Sequence, residues 1–424
     1  MKYRTASLVA MTSALLFFSC QRSMFVESEC LPLVTINIID QNGVSETISN
    51  DDRLNQYTKV DFLAPQPYKK VMRVYRRDEQ SNIAAVITSY HPNGQLHQYL
   101  ELVNGRAYGA YREWYENGLC KINANLIGGV GDLSTGDEQT WIFEGLCRAW
   151  DVSGALQAEF VYVKGKLDGT SLYYHQSGKL WKNVPFSNGV LEGRQEVYLE
   201  DGGLFQTITF SNGLRNGPAT KYWSDCTLAA EETYSCGKLM QALYYDDYGM
   251  LVSEISEGSG FRAIFSRNCL TELQEFRGGI QEGSIQLFDD RGRIYKVYNF
   301  KNGLKDGEEV EYYPGTSKPL LSIQWVKGKI HGYSRSYYPD GTMESQREMS
   351  ENKKNGILTA WYADGNMMLI EEYDHNKLVK GEYYKKGDRF PVSTVLDGKG
   401  TVTFFDSDGI LLKKVSYRNG KPDL

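Results

Sequence analysis

A unit of about two dozen residues recurs along most of this chain, and its glycines make the period visible. Gly154, Gly178 and Gly202 lie 24 residues apart. A second series, offset from the first, keeps the same spacing: Gly165, Gly189, Gly213 and Gly237. A period of this length means that each unit is one supersecondary element that cannot bury its own apolar face, so neighbouring units must stack. The sequence therefore predicts a repeat protein.

Within a unit, the first glycine is followed by glycines 11 and 15 positions later. Asn replaces the glycine at three of these places, Asn268, Asn352 and Asn376, and Asn is the usual substitute for Gly in a left-handed conformation. Asn or Asp often precedes the first glycine, as in Asn93-Gly94, which is a strong hairpin-turn signal. We therefore predict positive φ at the turns. The turn positions singled out are Gly94, Gly154, Gly165, Gly178, Gly189, Gly202, Gly213, Gly292, Gly303, Gly341, Gly365 and Gly409.

Between the turns, apolar residues alternate with polar ones, as at Leu204, Ile208 and Phe210. A period of two is typical of strands. The position four residues before the first glycine is nearly always aromatic, and we interpret these rings as lining the buried face of a sheet. The predicted fold is all-β: an elongated antiparallel β-hairpin repeat sheet with about 24 residues per repeat. Each unit is predicted to contain a short strand, a tight turn, a longer strand and a Gly-x-x-x-Gly corner.

Several of these phrases carry a family resemblance. The stretches Tyr-Tyr-His-Gln-Ser-Gly-Lys-Leu at 173–180, Ser-Asn-Gly-Val-Leu-Glu-Gly at 187–193 and Tyr-Tyr-Pro-Asp-Gly at 337–341 resemble the bacterial variant of MORN repeats, found in proteins often described as YwqK-like antitoxins. The resemblance covers roughly residues 81–424. It implies extended β-hairpin sheets, and it implies association with membranes, protein scaffolding or toxin neutralisation. It transfers no functional residue.

The repeat is interrupted in three places. About half a unit is inserted around residues 128–140, the spacing from Gly249 to Asn268 is short, and the pattern degrades between about Tyr383 and Gly400. Irregular units mark bends or loops on one face. The 128–140 loop is the best single candidate for a specific contact, and the alternative is a tolerated insertion.

The amino terminus has the layout of a secretory signal peptide. Lys2 and Arg4 precede an apolar run that ends at Ser19-Cys20 and is too short to span a bilayer. The cysteine resembles the lipidated residue of a lipoprotein signal, although the two phenylalanines before Ser19 depart from the usual motif. The prediction is a signal peptide at 1–19, lipidation at Cys20, a linker and amino-terminal cap at 20–80 and the repeat domain at 81–424. The expected location is the envelope, with the anchor in the outer membrane; secretion after cleavage by another peptidase is the alternative.

Charge and chemistry narrow the partners. The net charge is −6 without a clear basic stripe, which argues against nucleic acid. The five histidines show no metal-ligand spacing, and no catalytic constellation is evident, so we expect no enzyme activity, no cofactor and no metal. Beyond Cys20, six cysteines permit disulfides in an exported chain, but their pairing stays open.

Three functions remain after these exclusions. The leading hypothesis is an envelope-anchored scaffold that binds a protein or a cell-envelope polymer through an extended sheet surface. The alternative is an antitoxin or immunity-like protein that neutralises a partner toxin, which depends on the family resemblance alone. The third is an enzyme acting on wall glycan, and it has the least support.

Overall fold

The computed structural model describes residues 31–77 and 80–423. Contacts divide the chain into two compact units, the first ending at Val190 and the second starting at Leu191. In each unit the strands pair antiparallel, most of them with the strand before and the strand after in sequence. The predicted all-β hairpin-repeat fold is confirmed. The signal peptide and Cys20 lie outside the described residues.

Unit 1 contains both helices of the described part of the chain, α1 (Asp51–Tyr57) and α2 (Thr135–Glu138). Its strands are β1 (Leu33–Asp40), β2 (Ser45–Ile48), β3 (Lys69–Arg77), β4 (Ile83–Tyr90), β5 (Leu96–Val103), β6 (Arg106–Trp114), β7 (Cys120–Leu126), β8 (Phe143–Trp150), β9 (Leu156–Val163), β10 (Lys166–Leu167), β11 (Gly169–Tyr174) and β12 (Leu180–Ser187). The two-residue strand β13 (Val190–Leu191) lies at the division.

Unit 2 contains the remaining strands. They are β14 (Gly193–Tyr198), β15 (Leu204–Ser211), β16 (Leu214–Tyr222), β17 (Leu228–Ser235), β18 (Lys238–Tyr245), β19 (Leu251–Ser256), β20 (Ser259–Ser266), β21 (Cys269–Arg277), β22 (Ile280–Phe288), β23 (Ile294–Lys301), β24 (Leu304–Lys305), β25 (Gly307–Tyr312), β26 (Pro319–Val326), β27 (Lys329–Tyr337), β28 (Met343–Ser350), β29 (Lys353–Trp361), β30 (Met367–Asp374), β31 (Lys377–Tyr383), β32 (Ser393–Leu396), β33 (Lys399–Phe405), β34 (Leu411–Arg418) and β35 (Lys421–Pro422).

The tightest turn of each repeat lies at its second glycine. Asn188 and Gly189 both have positive φ, 51° and 84°, as a two-residue type I′ hairpin turn requires. The Gly189 N–H donates to the Leu167 carbonyl of the preceding repeat, 2.7 Å away. The sequence pattern instead assigned the tight turn to the first glycine and a corner to the second. Type I′ geometry matches the strand twist, so a two-residue turn closes the hairpin where a corner was expected.

The third glycine of a unit makes room for a side chain. Gly283 has φ 114°, and a Cβ atom there would lie 2.4 Å from the Glu275 Oε2 atom. That oxygen accepts a hydrogen bond from the N–H of Ser284, at 2.7 Å. Gly109 and Glu101 repeat the arrangement in unit 1, where Glu101 accepts from the Ala110 N–H at 2.7 Å. At Gly109 and Gly283 a carboxylate therefore occupies the space that a side chain would need.

A row of hydrogen bonds from polar rings to carbonyl groups joins successive repeats. The Tyr115 hydroxyl donates to the Trp150 carbonyl at 2.9 Å, and the Trp223 indole N–H donates to the Asp246 carbonyl at 3.0 Å. Each donor stands three residues before a first-turn position. Strand ends otherwise leave carbonyl groups that need partners. The rings thus tie the end of one hairpin to the next within each unit.

Segments of unit 1 cover both faces of its amino-terminal strands. On one face, Leu54 of α1 and Phe62 pack against Ile36 and Val74. Asn50 caps α1 by accepting from the N–H groups of its first turn. A core of buried isoleucine, valine and methionine side chains results, as expected for a sheet that must bury an apolar face.

The 128–140 insertion lies against the opposite face of unit 1. Asp132 accepts from Arg73 at 2.8 Å, and Trp141, just after the insertion, packs on Tyr111 with ring centroids 4.7 Å apart. The Trp141 indole N–H donates to the Val130 carbonyl at 2.9 Å. Because these contacts are internal, the insertion is a cover for the core of unit 1. Its use as a contact loop for a partner stays a prediction.

The five described cysteines are free thiols, so the structure shows no disulfide among residues 31–77 and 80–423: Cys120, Cys147, Cys226, Cys236 and Cys269. Within the same residues, no helix has the length and the apolar character needed to cross a membrane.

Candidate functional site

The two faces of the unit 2 sheet differ in chemistry. We call face A the side that carries Ile208, Ala219, Glu232 and Ala242, which the strand register places opposite one another across β15, β16, β17 and β18. Directly opposed residues in a pleated sheet share a face. Face A therefore contains the main buried cluster of unit 2 together with charged groups.

A buried carboxylate held by two tyrosines occurs twice on face A. Glu232 accepts from the Tyr234 hydroxyl at 2.9 Å and from the Tyr244 hydroxyl at 2.7 Å. In the second copy, Glu371 accepts from Tyr373 at 3.0 Å and from Tyr383 at 2.8 Å. The two sets are related by one constant offset in sequence. A cation stands by the first tyrosine of each set: Arg215 by Tyr234 and Lys354 by Tyr373.

The duplication continues into a glycine cluster after the second tyrosine. Gly258 donates to the Met240 carbonyl and Gly279 donates to Gly258, while Gly398 donates to Val379 and Gly420 donates to Gly398. The short Gly249-to-Asn268 spacing and the degraded 383–400 pattern are thus one structural element used twice. Sequence reasoning missed it. The available signal was the pair of phrases Glu-Gly-Ser-Gly at 257–260 and Asp-Gly-Lys-Gly at 397–400.

In the first copy, face A holds a small recess with two cations. It has a volume of about 70 Å³, and Lys221 and Arg262 line it together with Glu232 and the aromatic side chain of Trp223. Arg262 Nη2 lies 3.2 Å from Glu232 Oε1. Arg262 is on β20 and Glu232 on β17, three strand spacings or roughly 14 Å apart in a flat sheet. The sheet therefore curls toward face A at this point.

The carboxylate in the recess is already fully engaged, whereas the cations are not. Arg262 Nε is buried and has no hydrogen-bond partner in the described structure. Lys221 is half-buried, and the contact that the structure gives its ammonium group is with the Phe205 ring, 5.5 Å from the centroid. Burial lowers the pKa of Lys221, and the nearby charge of Arg262 lowers it further, outweighing the opposite effect of Glu232. Two cations thus face one carboxylate.

The second copy carries different side chains at the positions of these two cations. Counted along the duplicated strands, Ala360 takes the place of Lys221 and Val402 takes the place of Arg262. Both are buried, and Val402 belongs to the apolar cluster that also contains Tyr373 and Tyr383. The same arrangement of strands, tyrosines and glutamate therefore forms with apolar side chains at these two positions. The first copy thus carries two half-buried charges where the second copy has apolar side chains.

A second depression in unit 2 is a weaker candidate for a binding site. It is lined by apolar side chains such as Phe288 and Ile294, and Arg293 is the charged residue that lines it. Asp289 already holds the Arg293 guanidinium with two hydrogen bonds, of 2.9 and 3.0 Å. This cation is therefore satisfied by its own neighbour.

The residues predicted from sequence lie at the turns and not in the recess. All twelve turn glycines have positive φ, between 72° at Gly292 and 100° at Gly202. The aromatic residues before the first turns are mostly half-buried, with Tyr90 fully buried. In the part of the chain that the structure describes, no three His, Cys, Asp or Glu side chains come together in a way that could hold a metal ion.

Comparison with known proteins identifies the repeat. The model of the MORN repeat variant family matches residues 167–188, 330–350 and 399–419. Each match falls on a first turn and its flanking strands: β11–β12, β27–β28 and β33–β34. No curated protein matches the chain.

Among solved structures, a porin-like protein from Bacteroides uniformis is 9% identical, with 80% of this chain and 93% of that chain covered and a TM-score of 0.12. A likeness at this level carries no argument. The family matches and the observed hairpins agree, and the chain carries MORN repeats of the variant type in these three segments.

Proposed function

We propose that this protein is a non-enzymatic, envelope-anchored scaffold that binds a macromolecular partner, a protein or an envelope polymer, through face A of unit 2. The observation that carries the proposal is a series of cations stacked on aromatic rings along that face. Such groups recur with the repeat and offer many similar contacts, which suits an extended partner better than a single deep pocket.

The cation–ring pairs are spread over the whole unit. Arg215 lies 5.3 Å from the Tyr234 ring centroid, and Lys354 lies 4.5 Å from that of Tyr373. Lys305 lies 4.8 Å from the ring centroids of Tyr298 and of Trp325. Stacking holds each cation at the sheet surface, and both rings and cations are common anchors of binding surfaces.

The second observation in support is a difference between the two units in the segments that pack on the sheet. In unit 1, α1 and the 128–140 insertion pack on the two faces of the sheet. Both described helices belong to unit 1, and the described elements of unit 2 are all strands. The Trp325 indole N–H on this face is buried between side chains and has no acceptor in the described structure. A polar group left in this way favours a surface that is completed by a partner.

The anchor is supported by the sequence of residues 1–19 and by Cys20. Its test is Cys20→Ala in the full-length gene, followed by lipid labelling and membrane fractionation in the host. The protein should lose its lipid label and leave the membrane fraction. Persistence of the variant in washed membranes would contradict the anchor.

The binding face is tested with a photo-crosslinking amino acid placed at two neighbouring positions. Ser334 lies on face A, opposite Ile323, and Arg335 lies on the other face, opposite Ser322. In cells that make the full-length protein, a crosslinker at position 334 should capture a discrete partner, and one at 335 should not. Equal capture at both positions, or none at either, would overturn the proposal.

A further inference from the structure

The charges around the recess on face A are unbalanced. Lys221 and Arg262 bring two cations, and Glu232 brings one carboxylate whose oxygens already accept from Tyr234 and Tyr244. A half-buried ammonium beside a half-buried guanidinium is costly unless an anion accompanies them. The recess therefore attracts a second negative charge.

We infer that this recess binds a carboxylate group, held between the Lys221 ammonium and the Arg262 guanidinium. A carboxylate is planar and matches the fork of a guanidinium. With the ligand bound, two cations face two carboxylates. The site is then neutral.

The size and lining of the recess favour a carboxylate over a larger oxyanion. Its volume of about 70 Å³ corresponds to roughly two water molecules, each with a share of about 30 Å³ of liquid volume. Methyl groups of Ala219, Ala230 and Ala263 line it beside the polar groups. A short apolar stem carrying a carboxylate uses both kinds of wall. A phosphate would leave several of its oxygens against methyl groups.

The ring of Trp223 closes the recess from the side. It packs edge-on against Phe265, with ring centroids 5.2 Å apart, and its indole N–H is fixed by the Asp246 carbonyl. The wall is therefore rigid before a ligand arrives, which lowers the entropic cost of binding.

This inference names a group that the binding face recognises, and so it rests on the proposed function. The carboxylate can belong to a small free acid or to an acidic side chain of a bound protein. The probes separate these sources: sodium acetate, a blocked tripeptide with a central glutamate, and inorganic phosphate. Each is titrated into the purified full-length chain at constant ionic strength by calorimetry or NMR. Because no cellular partner is present, failure here is distinct from failure of the crosslinking experiment.

The variants are taken from the protein itself. Lys221→Ala and Arg262→Val install the residues that the second copy carries as Ala360 and Val402, and both should therefore fold. Lys301→Ala removes an exposed lysine at the end of β23 and is the matched charge control. Circular dichroism checks the fold of each variant.

We expect saturable binding of acetate or of the glutamate peptide with one site per chain. Binding should weaken about tenfold or more in either pocket variant and change less than about twofold in the control. Saturable binding of acetate alone assigns the site to a free acid, and tighter binding of the peptide assigns it to a protein side chain. Tighter binding of phosphate, equal binding by all variants, or no saturable binding by the unaltered chain would each overturn the inference.

Discussion

The hydroxyl of Tyr338 donates a hydrogen bond to the backbone carbonyl of Trp361, 2.8 Å away, and so joins the end of one repeat to the end of the next. Tyr362 continues the row by donating to the Tyr384 carbonyl, also at 2.8 Å. The residue responsible stands directly after the conspicuous aromatic position of the repeat. The hydroxyl group of this residue matters more than the apolar surface that its ring buries, because a strand-end carbonyl without a partner is costly to bury.

Removing this hydroxyl should destabilise unit 2. Tyr338→Phe keeps the ring but leaves the Trp361 carbonyl without its donor, and we expect a loss of about 1 kcal/mol. Chemical denaturation followed by tryptophan fluorescence measures it. Tyr337→Phe is the matched control, because the structure gives the Tyr337 hydroxyl no hydrogen bond among the described residues. Equal midpoints for the two variants would contradict the role of the row.

Glycines at turns should differ in how strongly they resist substitution. Gly189 has φ 84°, but a Cβ there would have its nearest neighbour 3.7 Å away, so Gly189→Ala meets backbone strain alone, about 1–3 kcal/mol. A Cβ on Gly258 would lie 2.5 Å from the Gly279 backbone nitrogen, which cannot move aside as a side chain can. Gly258→Ala should therefore lower the melting temperature more than Gly189→Ala. Ser187→Ala, two residues before Gly189, should have little effect. A reversed order of the two glycine variants would show that backbone crowding is not decisive at Gly258.

The repeat and its strands could be predicted because local chemistry fixes them. Alternation of apolar residues sets the pleat, and glycine or asparagine at positive φ sets the turns, as at Asn188 and Gly189. The sequence pattern predicts the tight turn at the first glycine, whereas the structure has it at the second. The two cannot be told apart locally, because an Asn-Gly pair such as Asn93-Gly94 at a first glycine looks much the same as Asn188-Gly189 at a second. The cover that α1 and Trp141 give to unit 1 depends on contacts distant in sequence, and periodicity does not report those.

The recess could not be predicted for a related reason. Arg262 and Glu232 are thirty residues apart, and their contact exists because the sheet curls across three strand spacings. No motif spacing marks that curl. What the sequence did contain was the duplication, in which Tyr234 and Tyr244 correspond to Tyr373 and Tyr383. A comparison of the two copies position by position would have shown that Lys221 and Arg262 are charged where the second copy has Ala360 and Val402.

Acid should weaken unit 1 through Glu113. Its carboxylate is buried, which alone would raise the pKa, but the nearby His97 ring, 3.7 Å away, and hydrogen bonds from Lys121 and Tyr111 outweigh burial and lower the pKa of Glu113 to about 2. The unfolded chain has an ordinary value of 4.5. The carboxylate therefore stabilises the fold fully above about pH 4.5, and this contribution, on the order of 2–3 kcal/mol, is lost as the pH falls toward 2.

Denaturation at a series of pH values tests this for the unaltered chain and for Glu113→Gln. The variant should be less stable at pH 7 and should lose less stability between pH 4.5 and 2. Glu116→Gln, at an exposed turn position of the same hairpin, is the control. Identical pH profiles for the unaltered chain and Glu113→Gln would remove Glu113 as the source of acid sensitivity.

The recess should cost stability when it is empty. In the double variant Lys221→Ala with Arg262→Val, Glu232 keeps its hydrogen bonds from Tyr234 and Tyr244, and in the second copy two tyrosines hold Glu371 while these two positions are apolar. Replacing buried charges with apolar side chains is often neutral or stabilising, by about 1–4 kcal/mol. We therefore expect the double variant to melt at the same temperature as the unaltered chain or higher, in buffer without carboxylates. Glu232→Gln should do the reverse, because it leaves Lys221 and Arg262 without a buried counter-charge. A double variant that is clearly less stable than the unaltered chain would show that the two cations contribute to the packing of unit 2. The conclusion that they are not needed for the fold would then be wrong.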